Sequence, residues 1–128
     1  MGFFGKLFGL TPEKNPLHVD DANFQEEVIR SKVPVVLDVW GPNCQPCKQL
    51  EPVIKSLAAT YDGRVKVCEM NTHTGPRASM NLKVKGTPTV IYFRGGREVE
   101  RIVGVRSSLY HEEAIAEVFG IPKEADAS

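Results

Sequence analysis

The sequence has no excess of either charge: sixteen lysines and arginines stand against sixteen aspartates and glutamates. Gripping nucleic acid needs a basic face, and this balance gives no ground for one. No apolar run reaches the length of a membrane span. Three cysteines in 128 residues are too few and too unevenly spaced to staple a small secreted scaffold. No segment repeats. The opening MGFFGKLFGL has no charged segment ahead of its apolar residues and no small-residue cleavage site, so it does not read as a secretory signal. These absences predict a cytoplasmic protein with no nucleic-acid partner.

What is present is ordinary for one globular domain: 41% hydrophobic and 25% charged residues, in a chain long enough for a single core. The expected division is an N-terminal arm over 1–16, a domain over 17–121 and a loose tail over 122–128. Phe3, Phe4, Leu7 and Phe8 could line one helical face for a membrane or partner. Gly2, Gly5 and Gly9 each weaken such a helix by up to about 1 kcal/mol. The arm is therefore expected to rest on its own domain or fray, without membrane contact, and the protein to be a monomer.

The element order reads β-α-β-α-β-α-β-β-α. Leu17–Val19 reads as a short strand, and Asn23 with Glu26 as a capping box that turns Phe24 and Val28 inward. Val35–Trp40, apolar on both faces, reads as a buried strand. Leu50, Val53, Ile54, Leu57, Ala58 and Tyr61 keep helical spacing through Pro52, which predicts one kinked helix. Val65–Met70 is the next strand and Pro76–Leu82 a short helix. Thr89–Phe93 and Glu98–Val103 form a hairpin about Gly95-Gly96. Ser107 or Ser108 caps a last helix, with Glu112 and Glu113 in its first turn. The fold class predicted is α/β, a mixed central sheet with helices on both faces.

The informative stretch is VVLDVWGPNCQPCK, residues 35–48. Cys44 and Cys47 stand where a buried strand gives way to a helix. A cysteine at a helix start faces unpaired N–H groups and the positive end of the helix dipole, which favour thiolate. That effect lowers a thiol pKa of about 8.5 by less than about one unit, so the S–H of Cys47 is the further donor. Residues three apart lie on one helical face, close enough for a disulfide. Pro46 stiffens the first turn at no hydrogen-bond cost. Cys44 then reads as the exposed attacking sulfur and Cys47 as the shielded resolving one.

With KGTPTVIYFRGG about forty residues on and then VGV, the run resembles the thioredoxin family over roughly residues 17–120. The resemblance implies the thioredoxin fold, with Cys44 and Cys47 as the redox pair and Asp38 as the buried acid beneath them. It places Thr87 and a cis Pro88 opposite the cysteines, and Gly104 near an apolar surface where clients dock. Trp40 at the strand end is kept, and counts with Thr87, Pro88 and Gly104 as substrate-binding. Gln45-Pro46 stands where Gly-Pro is usual, and tunes the potential. The family's buried lysine, partner to the acid, maps to Val67, with Lys66 one position off.

Rival readings attach to the same residues. Asp38 could be a structural polar group, yet a buried lone carboxylate costs several kcal/mol, which a role as proton acceptor for Cys47 explains. Cys68 reads as a small core residue. Cys44, Cys47, Cys68 and His73 spell a Cys3His zinc pattern, but Cys68 would have to leave its strand. His18 and His111 read as surface residues. Lys48 lies on the wet face of its helix, near enough to assist Cys44. The function expected is thiol–disulfide exchange on disulfide-containing client proteins, with a thioredoxin-reductase-type electron donor and no cofactor or metal. The alternative is a thioredoxin-fold binding module with incidental redox activity.

Overall fold

The computed structural model describes residues 12–124; Phe3, Phe4, Leu7 and Phe8 of the expected arm lie outside that range. Among the described residues five strands, β1 Leu17–Val19, β2 Val35–Trp40, β3 Lys66–Asn71, β4 Thr89–Arg94 and β5 Arg97–Val103, form one sheet in the order β1-β3-β2-β4-β5. β1, β3 and β2 run parallel, while β4 is antiparallel to both β2 and β5. The helical segments are α1 Gln25–Ile29, α2 Gln45–Thr60, α3 Pro76–Asn81 and α4 Ser108–Phe119. No helix among the described residues is long and apolar enough to cross a membrane.

Alternation along each strand sorts the core into two layers. Val36, Val67, Val90 and Tyr92 point to one face, where Leu50, Ile54 and Leu57 of α2 meet Ile115 and Phe119 of α4. Leu37, Val39, Cys68, Met70 and Ile91 point to the other, covered by Phe24 and Val28 of the first helical turns and Ala78 of α3. Helices thus cover both faces, as the element order requires. Pro52 lies inside α2, which runs through it as one helix. Pro12–Pro16 do not stand apart from the domain: the Lys14 amide donates to the Lys55 carbonyl at 3.1 Å, and Asn15 and Pro16 line a cleft described below. At the other end, Arg64 donates to the carbonyls of Pro122 and Lys123.

Three local expectations need correction. Asn23 is not the helix cap: Asp20 Oδ1 accepts from the amides of Ala22 and Asn23, while the Asn23 side chain ties back to His18 and Asp20. The turn after β1 closes on the earlier acid, and α1 is π-wound, with Arg30 N–H on the Gln25 carbonyl at 2.8 Å. In α4, Ser107 caps by accepting from the Tyr110 amide, which leaves Glu112 and Glu113 beyond the first turn. His111 is not a surface residue but fully buried, its Nδ1 2.6 Å from Tyr92 Oη. That hydrogen bond lets a polar ring take a core position on the inner face of α4.

The hairpin joining β4 to β5 turns on Gly95 and Gly96, with φ of 58° and 79°. A Cβ on Gly96 would stand 2.7 Å from the Ile29 carbonyl oxygen. Gly96→Ala is therefore expected to destabilise the fold by about 1–3 kcal/mol, from the left-handed backbone and this clash together. Urea denaturation reads it. An unchanged midpoint would mean that the hairpin can swing clear of α1.

Candidate active site

β2 leaves the sheet at Trp40, and Gly41-Pro42-Asn43 carries the chain to α2. Cys44 is the N-cap of α2: its backbone is extended, and its Sγ accepts from the Cys47 amide at 3.2 Å. One of the helix's unpaired N–H groups is thus spent on the sulfur. Gln45 and Pro46 follow, both exposed, with Pro46 in the first turn where its missing N–H costs nothing. Cys44 and Cys47 are joined as a disulfide with Cα atoms 5.2 Å apart. Cys44 is half-buried, whereas Cys47 is 7% exposed. The pair is asymmetric.

The loop between α3 and β4 faces the same sulfur. The Thr87–Pro88 peptide is cis, and Thr87 sets both its carbonyl and its Oγ1 3.6 Å from Cys44 Sγ. Gly104, with φ 92°, donates its amide to the Pro88 carbonyl at 2.9 Å, which brings the end of β5 beside this loop. Val103 next to it is 62% exposed, an apolar side chain left on the surface at the end of β5.

Beneath the disulfide lies a cleft of about 480 Å³, lined by Asp38, Trp40, Cys44, Cys47 and Glu69 with Lys48 and Glu51 of α2. Asp38 is 5% exposed, and its Oδ1 has no hydrogen-bond partner. Burial pushes its carboxyl up to about 7, with the charges of Glu69 and Glu51 adding to the rise. An acid of that strength takes or gives a proton at neutral pH.

The expected lysine partner of this acid is absent from its side. The β2–β3 register pairs Asp38 with Glu69, not with Val67 or Lys66. Lys66 stands at the far end of β3, where Nζ binds Glu27 Oε1 at 3.0 Å. Val67 is core. Sequence reasoning missed Glu69 because it counted from a resemblance rather than from the ladder. The signal was available: setting Val35 beside Lys66 in parallel register places Glu69 next to Asp38.

The zinc pattern does not converge. Cys68 is fully buried on the sheet face opposite α2, among Val19, Leu37 and Met70, and burial pushes its thiol up to about 12. Among the described residues no three His, Cys, Asp or Glu side chains are grouped to hold a metal.

Comparison with known proteins agrees with this arrangement. The thioredoxin family model matches residues 15–117. A thioredoxin of Synechocystis sp. is 38% identical over 86 residues, 67% of this chain and 80% of its own length. Thioredoxin 1 of Nostoc sp. matches over the same shares at 38% identity. The chloroplastic M-type thioredoxin of Spinacia oleracea is 40% identical over 67% of this chain and 48% of its own. With a disulfide-bonded cysteine pair at a helix start, a cis-proline loop against it and a mixed sheet behind, the chain belongs to the thioredoxin family, whose chemistry is thiol–disulfide oxidoreduction.

Proposed function

We propose that this protein reduces disulfides in client proteins through Cys44 and Cys47, with Asp38 as their proton acceptor. The observation that carries the reading is the asymmetry of the two sulfurs. One is half-exposed at a helix N-cap against Thr87, and the other is buried over an acid. In the reduced protein the Cys44 thiolate attacks one sulfur of a client disulfide. A Cys44–client bond forms and the other client sulfur leaves as thiolate. Cys47 gives its proton to Asp38 and attacks Cys44 Sγ, which closes the Cys44–Cys47 disulfide and releases the second client thiolate. The client gains two electrons, and the protein loses them.

Thr87 stands against Cys44 Sγ from the loop before β4, and Gly104, next to exposed Val103, donates to the Pro88 carbonyl of that loop. These positions support a role in holding client backbone across Cys44. Trp40 lines the cleft from below, so its part is to shape the site rather than to meet the client. Gln45 and Pro46, exposed between the cysteines, are placed to tune the potential. Each turnover needs two electrons returned, which we assign to a thioredoxin-reductase-type donor. One chain supplies all the groups named for the reaction, which supports action as a monomer, with Asn15 and Pro16 joined to the domain expected over 17–121. A free Cys68 in the core, in addition to the pair, suits a reducing interior such as the cytoplasm.

Reduction of insulin by the isolated protein with a dithiol donor tests the reading. Precipitation of the freed insulin chains, lost when the cysteines are blocked, is the expected result. Binding without reduction would leave a thioredoxin-fold binding module. Labelling provides a second check. In the reduced protein at neutral pH, limiting iodoacetamide is expected to modify Cys44 well before Cys47 or Cys68, because only Cys44 combines access with thiolate-stabilising N–H groups. Peptide mapping that finds another cysteine labelled first reverses the assignment.

A further inference from the structure

Strand register lines up three polar side chains across the sheet. His18 of β1 stands beside Glu69 of β3, and Glu69 beside Asp38 of β2. The row runs from solvent to the acid under the cysteines. His18 is 56% exposed at its side chain, Glu69 20%, and Asp38 is buried. Glu69 is held from two sides: His18 Nδ1 lies 2.7 Å from Oε2, and Trp40 Nε1 donates to Oε1 at 2.6 Å. The carboxylate is thereby fixed in the wall of the cleft that Asp38 and Cys47 share.

We propose that Glu69 is a positioning residue for the exchange reaction, a second carboxylate whose fixed charge sets the proton affinity of Asp38, with His18 modulating that charge from the surface. This rests on the role given to Asp38 above. The physical reason is like-charge repulsion across a sheltered cleft, where neighbouring carboxylates resist losing both protons. Trp40 and His18 spend their hydrogen bonds on Glu69 and none on Asp38, so the donors in the wall of the cleft support negative charge on Glu69 and leave Asp38 without such support. Asp38 then keeps its proton to higher pH and is a stronger acceptor for Cys47. When His18 is protonated, its charge offsets that of Glu69 and the effect weakens. Hydrogen bonding to Glu69 also favours the protonated ring.

The other groups facing Asp38 do not replace this pair. From α2 come Glu51, which is paired with Lys55 at 3.2 Å, and exposed Lys48 on the cleft rim. β4 contributes only Val90, and Lys66 of β3 is engaged by Glu27. Asp20 lies 3.6 Å from His18 on the outer side.

The test is the titration of Asp38 in the oxidised full-length protein, followed by carboxyl carbon NMR with labelled aspartate, so that no thiol titrates. Glu69→Gln keeps an acceptor for Trp40 and removes the charge. It is expected to lower the Asp38 midpoint by about one pH unit. His18→Gln removes the offsetting cation and is expected to raise it by a smaller amount. Both shifts in these directions support the proposal. A midpoint unmoved in Glu69→Gln, or one moved upward, overturns it, and so does a downward shift in His18→Gln. Client reduction by Asp38→Asn is measured separately, and a normal rate there would sink the role of Asp38 without altering what the titration reads.

Discussion

Cys44→Ser is expected to lose disulfide reduction by at least about a thousandfold, while Cys47→Ser performs one half-reaction and stops. The difference follows from where the two sulfurs sit. Without Cys44 the remaining sulfur of the pair is the buried one, 7% exposed, and no client disulfide reaches it. Without Cys47 the half-exposed Cys44 keeps its place at the N-cap beside Thr87, so it still attacks. The backbone amide at position 47 still points at Cys44 Sγ, since the donor belongs to the main chain. What is missing is the sulfur that resolves the intermediate. Cys47→Ser should accumulate a covalent client adduct of one to one stoichiometry, seen by mass spectrometry under non-reducing conditions. Cys68 cannot substitute: it is fully buried on the opposite face of the sheet, with a thiol pushed up to about 12. Continued turnover by Cys47→Ser would place the resolving step on another group and end the two-sulfur scheme.

The sequence was most legible where local rules and tertiary packing demand the same residues. Val35–Trp40 is apolar on both faces because helices cover both sides of β2, and its limits were read to the residue. The cysteine pair was legible because helix-start chemistry and the i, i+3 spacing are local. His111 was not. A histidine in the sequence is usually a surface residue, and only the meeting of α4 with Tyr92 of β4 supplies a partner that makes burial tolerable. Asn23 failed for a related reason. Two acceptor side chains compete for the amides after β1, and the one nearer the strand end, Asp20, takes them. Glu69 was missed because its neighbour Asp38 is fixed by register between two strands, a relation that local patterns do not state and that is read only by setting β2 beside β3.

Asp38→Asn is expected to stabilise the oxidised protein at neutral pH and to slow resolution of the mixed disulfide. The sign follows from the direction of the shift. Burial raises the carboxyl from 3.8 in the unfolded chain to about 7 in the folded one, so the folded state binds the proton more tightly. Its contribution to stability is full below the unfolded value and declines as pH rises towards about 7. By neutral pH the folded state has lost that advantage, at up to about 1.4 kcal/mol for each pH unit of separation. Asparagine does not titrate, but its amide N–H groups need partners in the cleft, which offsets part of the gain. A net gain of about 1–3 kcal/mol is the expectation.

His111 supplies an internal control with the opposite sign. Burial lowers its ring from 6.5 to about 4, so its contribution is full above the unfolded value and is lost as pH falls through that window. Between about pH 4 and 6.5 the two buried groups therefore slope against each other. Removing Asp38 exposes the histidine's slope, and Asp38→Asn should gain stability over the parent progressively as pH rises from 4 to 7. Urea midpoints at four pH values across that range, with stopped-flow release of client thiol from the Cys44 adduct, measure both halves. A difference between mutant and parent that stays constant with pH would mean that Asp38 does not hold its proton in the folded state. Unchanged release of client thiol would remove this carboxylate from the path of the Cys47 proton.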